Sequence, residues 1–153
     1  MMKNYFLLHV SKAFILAAGA FTSCTDPHGI PKDLYIKIEG TPSQPGASGA
    51  RRLTLAATKN KAGKLTFEWT LSLGDQVQRL ELPDTTVQKL VDELRRNKVF
   101  KLQSRYTDYN ILDGGTDVLT IRMNAREKII IMHNSSPNEL KNFFTLIYRP
   151  QGN

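Results

Sequence analysis

The sequence predicts an α+β domain built as a two-layer sandwich, a mostly antiparallel sheet with two helices on one face. Three observations predict it. Several runs alternate apolar and polar side chains, the pattern of strands with one buried and one solvated face. Two segments repeat apolar residues at i, i+3, i+4 and i+7, which is one stripe of a helix. The alternating runs follow one another across short turn sequences, so they pair as antiparallel hairpins. One apolar sheet face and two apolar helix stripes must cover each other, which is the sandwich.

In chain order, Leu34, Ile36 and Ile38 alternate with Tyr35, Lys37 and Glu39. Residues 40–50 (GTPSQPGASGA) read as a long loop, or as an extension of the N-terminal tether. Leu53, Leu55 and Ala57 make a second strand, and the clearest alternation runs over 65–73, with Leu65, Phe67, Trp69, Leu71 and Leu73 on one face. Asn60 to Gly63 supplies the turn before it and Gly74-Asp75 the turn after it, into a strand over 76–82. Val87, Leu90, Val91 and Leu94 then mark a helix behind Pro83-Asp84-Thr85, with Thr85 and Gln88 placed for a capping box. Phe100 to Tyr106 fits a strand or a loop. Leu119, Ile121 and Met123 alternate again, and Asn124 to Glu127 turns the chain into 128–133. The run Ile129 to Met132 is apolar on both faces, which predicts a central strand. Ser136-Pro137-Asn138-Glu139 offers a capping Ser and Pro at the first helical position for a second helix, striped by Leu140, Phe143, Phe144 and Ile147.

At 153 residues, 41% hydrophobic and 23% charged, the chain has room for one domain and is not disordered throughout. One Cys excludes an intramolecular disulfide and any multi-Cys metal site. Residues 1–23 combine Lys3 and Lys12 with an apolar run from Ala13 to Phe21, too short to span a bilayer, which needs about 20 apolar residues. This is the pattern of a secretory signal peptide, followed by a tether (24–33), the domain (34–148) and a tail (149–153). Removing residues 1–23 takes away two Lys and no acid, so the formal charge falls from +7 to +5.

Phe21-Thr22-Ser23-Cys24 resembles the lipobox of bacterial lipoproteins, with Phe21 where the family usually has Leu. The resemblance implies that Cys24 carries a diacylglyceryl group and a further acyl chain such as palmitate, and becomes the first mature residue. Thr25 rather than Asp after the Cys implies outer-membrane delivery, facing the periplasm or the cell surface. Ala18-Gly19-Ala20 offers ordinary signal peptidase another cutting place, which leaves Cys24 a free thiol on a secreted protein. Phe100-x-Leu102, Tyr106, Asp113-Gly114, Leu119-x-Ile121 and the closing helix together resemble a small uncharacterised α+β domain of exported bacterial proteins, across roughly 34–148. That resemblance implies no activity.

No constellation of reactive side chains stands out, and the sequence reads as a non-enzymatic binding domain without a cofactor. His28 lies in the tether; His133 ends a strand beside Ser135 and Ser136, but Ser136 serves a helix start and no G-x-S-x-G elbow exists. Asp108, Asn110, Asp113 and Asp117 present oxygens that suit Ca²⁺, although Leu112 and Asp113 break the EF-hand order and Asp113-Gly114 is also a turn pair. Arg95, Arg96, Lys98, Lys101 and Arg105 form a basic stretch free of acids, suited to an anionic lipid or glycan. An export signal disfavours nucleic acid despite the high pI. Partners expected are the membrane, through the lipid on Cys24, and an envelope protein or an anionic glycan or lipid. The other readings are a secreted periplasmic protease inhibitor and a metal-ion-dependent module on the Asp108–Asp117 loop.

Overall fold

The computed structural model describes residues 29–41, 51–110 and 115–150. A seven-stranded mixed sheet and two α-helices make an α+β fold. The elements are β1 (Tyr35–Thr41), β2 (Arg51–Lys59), β3 (Leu65–Leu73), β4 (Gln76–Leu82), α1 (Asp84–Arg96), β5 (Arg105–Thr107), β6 (Thr116–Met123), β7 (Arg126–His133) and α2 (Lys141–Tyr148). The strand order is β4-β3-β2-β1-β6-β7-β5. From the centre, β1 to β4 run outward as a meander. The α1 segment then carries the chain from that edge to the opposite one, where β5 lies, and β6 and β7 fill the space beside β1. All pairings are antiparallel except β5 with β7.

Register explains the core. Ile36 lies opposite Leu55 and Ile121, and Leu55 opposite Trp69. Ile38 lies opposite Leu53 and Leu119, and Leu119 opposite Ile130. Each of these side chains is buried and falls in one cluster with Val87, Leu90, Val91 and Leu94 of α1 and Phe143 and Ile147 of α2. The indole N–H of Trp69 donates to the carbonyl of Ile147 at 2.9 Å, so the sheet satisfies one of the C-terminal carbonyls that a helix leaves open. The complementary rows (Lys37, Thr54 and Thr70, for example) are partly exposed.

Several expectations change. The packed body begins before Leu34: Ile30, within the expected tether, is fully buried, and the Leu34 N–H donates to the Pro31 carbonyl at 3.1 Å. Gly40 and Thr41 belong to β1 and Arg51 opens β2, so the expected 40–50 loop is shorter at its start. Neither expected side-chain cap forms. Helix α1 starts one residue before Thr85, and Gln88 donates to Asp92 instead, at 2.8 Å. The Ser136 segment enters a 3-10 turn at Asn138–Leu140 before α2 begins. Phe100 to Tyr106 divides into a 3-10 turn (Val99–Lys101) and the short strand β5. Finally, β7 is paired on both sides but is not central, and Ile129 lies 46% exposed. Its two-faced apolarity therefore places an apolar residue at the surface.

Gly40 illustrates a close approach. Asp117 of β6 and Arg51 of β2 both lie opposite it, on either side of β1. Their side chains meet across it, with the guanidinium 3.1 Å from the carboxylate. A Cβ on residue 40 would collide with Asp117 Oδ1, so the ion pair uses the room that only glycine leaves.

Candidate functional site

Helix α1 keeps its apolar stripe inward, and its last turn carries Arg95 and Arg96. Asn97 closes the helix, its backbone N–H and side-chain amide donating to the Glu93 carbonyl at 3.1 and 2.9 Å. Lys98 follows in the left-handed region (φ 48°, ψ 48°), where glycine is the unstrained residue after a helix. This reverses the chain into the Val99–Lys101 turn, whose Lys101 N–H donates to the Lys98 carbonyl at 2.7 Å. The β6–β7 hairpin lies alongside. Its two-residue turn, Asn124-Ala125, has φ of 54° and 56°, and the Asp33 carboxylate accepts both of its N–H groups at 2.8 and 2.6 Å.

These three pieces enclose a cleft of about 360 Å³. Its floor is apolar: Leu94 and Val99 are buried, Met123 is 4% exposed and Phe100 is half-buried. Its rim is cationic, carrying Arg95, Lys98, Lys101 and Arg126, and no carboxylate lines it. The Arg126 guanidinium lies over the Phe100 ring, 4.2 Å from its centroid. Arg95 donates to the Gly29 carbonyl at 2.8 Å. The cleft therefore adjoins the point where the N-terminal chain joins the domain.

Of the basic residues expected to act together, Arg95, Lys98 and Lys101 converge here. Arg96 does not: it is 2.7 Å from the buried Glu93 carboxylate and is committed to it. Arg105 lies exposed on β5 and does not line the cleft. Arg126 is the member that sequence reasoning missed. It sits in a hairpin distant in sequence from the basic stretch, and only the pairing of β6 with β7 brings it beside the helix end.

The described acidic residues do not gather. Asp117 pairs with Arg51, while Asp108 accepts the Asn110 backbone N–H at 2.9 Å, a local turn. Asp113 lies outside the described residues, and among those described no three His, Cys, Asp or Glu side chains stand close enough to hold a metal. His133 is exposed and shares a 2.9 Å hydrogen bond with the Thr116 hydroxyl. Cys24 and His28 lie outside the described residues, and no described helix is long and apolar enough to cross a membrane.

A second cleft, about 650 Å³ and open, borders α2 and is lined by Ser136, Asn138, Lys141, Phe144, Tyr148 and Arg149. Tyr148 stacks with Phe144 at 6.3 Å, and the Arg51 guanidinium lies 5.0 Å from its ring centroid. Burial pushes the Tyr148 hydroxyl above its ordinary pKa of 10.0, the Asp117 charge adds to this, and Arg51 opposes it. A phenol whose folded pKa is raised contributes stability that is complete below pH 10.0 and is lost as pH rises through the folded value. Wild-type protein is expected to lose stability above that pH more steeply than Tyr148→Phe. Denaturant midpoints at alkaline pH check this, and identical slopes for the two proteins would refute it.

Comparison of the chain with family models, with curated proteins and with solved structures finds no match.

Proposed function

We propose that this protein is a lipid-anchored component of a bacterial cell envelope whose domain is a non-enzymatic binding module for an anionic envelope constituent. Cys24 is the lipidated residue, and Thr25 favours the outer membrane. The observation that carries the reading is the hydrogen bond from Arg95 to the Gly29 carbonyl. It ties the cationic cleft to the start of the domain, five residues from Cys24, and five residues reach at most about 17 Å. A cluster so placed lies within the field of anionic headgroups, where each basic residue contributes about 1 kcal/mol. A single acyl chain holds a protein only marginally; two or three on one Cys hold it effectively permanently.

The binding-module reading is supported by the state of the polar residues. Of the acids expected to serve a metal, Asp117 is engaged in an ion pair and Asp108 in a turn, and His133 is exposed in a hydrogen bond to the Thr116 hydroxyl. The reading extends to the layering: both helices cover the apolar face of the sheet as a two-layer sandwich, which the shared core and the Trp69–Ile147 bond support.

Cys24→Ala is expected to abolish incorporation of labelled palmitate and to move the protein from the membrane fraction to the soluble fraction of the envelope. A mutant that stays in the membrane fraction, or a wild-type mature chain that begins at Phe21 with a free thiol, overturns the anchor.

A further inference from the structure

We infer that the cleft at the end of α1 seats an anionic phospholipid, its phosphate on Lys98, Lys101 and Arg126 and its glycerol and first acyl carbons on the half-buried Phe100 and the alkyl stems of the rim, above buried Leu94, Val99 and Met123. This deepens the binding-module reading and rests on it for the location of the ligand, while the chemistry of the ligand comes from the walls.

The walls have two characters, and each excludes a simpler ligand. A rim of four cations without a carboxylate selects an anion. An inorganic phosphate would be satisfied by that rim and would leave the exposed part of Phe100 and the alkyl stems of the rim wet. A polyanionic glycan would do the same, since it has no hydrocarbon to place there. An amphiphile uses both surfaces. A volume of about 360 Å³ lies at the small end of ligand sites, about 300–1,000 Å³. It admits a headgroup and the upper part of its chains, with the remainder staying in the bilayer.

The electrostatics favour this arrangement despite one opposing term. A helix C-terminus carries about half a negative charge, which repels an anion. Here the end of α1 is already hydrogen-bonded: Asn97 N–H to Glu93 O at 3.1 Å and Lys98 N–H to Arg95 O at 3.0 Å. Against it stand Lys98, Lys101 and Arg126, none of them in a described ion pair, and Arg95, whose nearest carboxylate contact is Asp92 at 4.0 Å. Asp33, the carboxylate that touches this hairpin, is held by two backbone N–H groups.

Lys98 supplies the sharpest sign of a use. It occupies a left-handed position where a side chain is strained and glycine is not. What the strained residue contributes is an ammonium at the mouth of the cleft, and strain of this kind clusters at binding sites.

The test uses the full chain with Cys24→Ser, which removes the anchor. Sedimentation is compared between phosphatidylcholine vesicles and vesicles that also contain phosphatidylglycerol. The N-terminal run carries Lys3 and Lys12 and itself favours anionic vesicles, so the cleft is read from variants that share that N-terminus. The anionic vesicles are expected to bind at least tenfold more tightly. Lys98→Gly is expected to weaken that preference several-fold while raising the denaturant midpoint, an outcome a misfolded variant would not give. Dihexanoyl phosphatidylglycerol is expected to bind in calorimetry, and Phe100→Gln to weaken it; acyl-free glycerophosphoglycerol is expected to bind at least tenfold less tightly. Equal binding of the short-chain lipid and the acyl-free head would overturn the amphiphile. Equal binding to both kinds of vesicle, or retention by an anionic polysaccharide alone, would overturn the lipid. Palmitate labelling at Cys24 reads the anchor separately, so the two failures are distinguishable.

Discussion

Trp69→Ala is expected to destabilise the protein by about 4 kcal/mol, within the range of about 3–5 kcal/mol for truncating a buried Trp or Phe. Trp69 is 3% exposed and belongs to the core cluster that joins the sheet to both helices. Its loss removes apolar contact on β3 and also strands the Ile147 carbonyl, whose partner at 2.9 Å is the indole N–H. Trp69→Phe keeps one aromatic ring but loses the donor and the rest of the indole, so it should cost at least the about 1–3 kcal/mol of an unsatisfied buried group and less than the alanine variant. Since domains are stable by only about 5–15 kcal/mol, the alanine variant should melt far below wild type. Circular dichroism during urea unfolding measures both; a cost below about 1 kcal/mol for the alanine variant would show that α2 is not docked through this residue.

The second large effect is expected at Asp33, which a stability argument from exposure alone would pass over. Asp33 is exposed, yet its two carboxylate oxygens accept the N–H groups of Asn124 and Ala125. Those residues turn the β6–β7 hairpin with φ of 54° and 56°. Two-residue hairpin turns of this hand suit Asn-Gly, and alanine at a positive φ costs about 1–2 kcal/mol. Asp33 therefore stabilises a strained turn and ties the beginning of the domain to it. Asp33→Ala should cost about 2 kcal/mol, less than two buried charge-assisted bonds because water can replace part of each. Ala125→Gly should stabilise by about 1 kcal/mol. Combined, they should cost less than the sum of the separate effects, because a relaxed turn needs its clamp less. Urea unfolding of the four proteins forms the cycle, and strict additivity would show that clamp and turn are independent. Asn124 also lines the cationic cleft, so the same clamp holds one wall of the proposed lipid site.

The longer strands and both helices were legible because their signals are local. Leu65, Phe67, Trp69 and Leu71 alternate within one strand, and their partial or full burial follows from the pleat alone, whereas Leu73, expected on the same face, ends the strand 49% exposed. The stripe of Val87, Leu90, Val91 and Leu94 likewise needs nothing beyond the helical repeat. The caps failed for a physical reason. Thr85 and Ser136 compete with the geometry of chain entry, and tertiary packing outweighs a side-chain bond of about 1 kcal/mol. Strand β7 was misplaced because two-faced apolarity has more than one cause: a central position produces it, and so does an apolar residue such as Ile129 left at the surface.

By itself, the sequence determined the α+β class, the buried rows of β1, β2 and β6 and most of that of β3, the stripes of both helices and the basic stretch that follows α1. Only the tertiary structure decided which cations act together. Arg96 leaves the cluster because Glu93, one turn back, is buried and holds it. Arg126 enters it because the β6–β7 hairpin returns beside the end of α1. The reason is one of range: periodicity is a property of neighbouring residues, whereas a cleft is made by segments whose closeness depends on strand order.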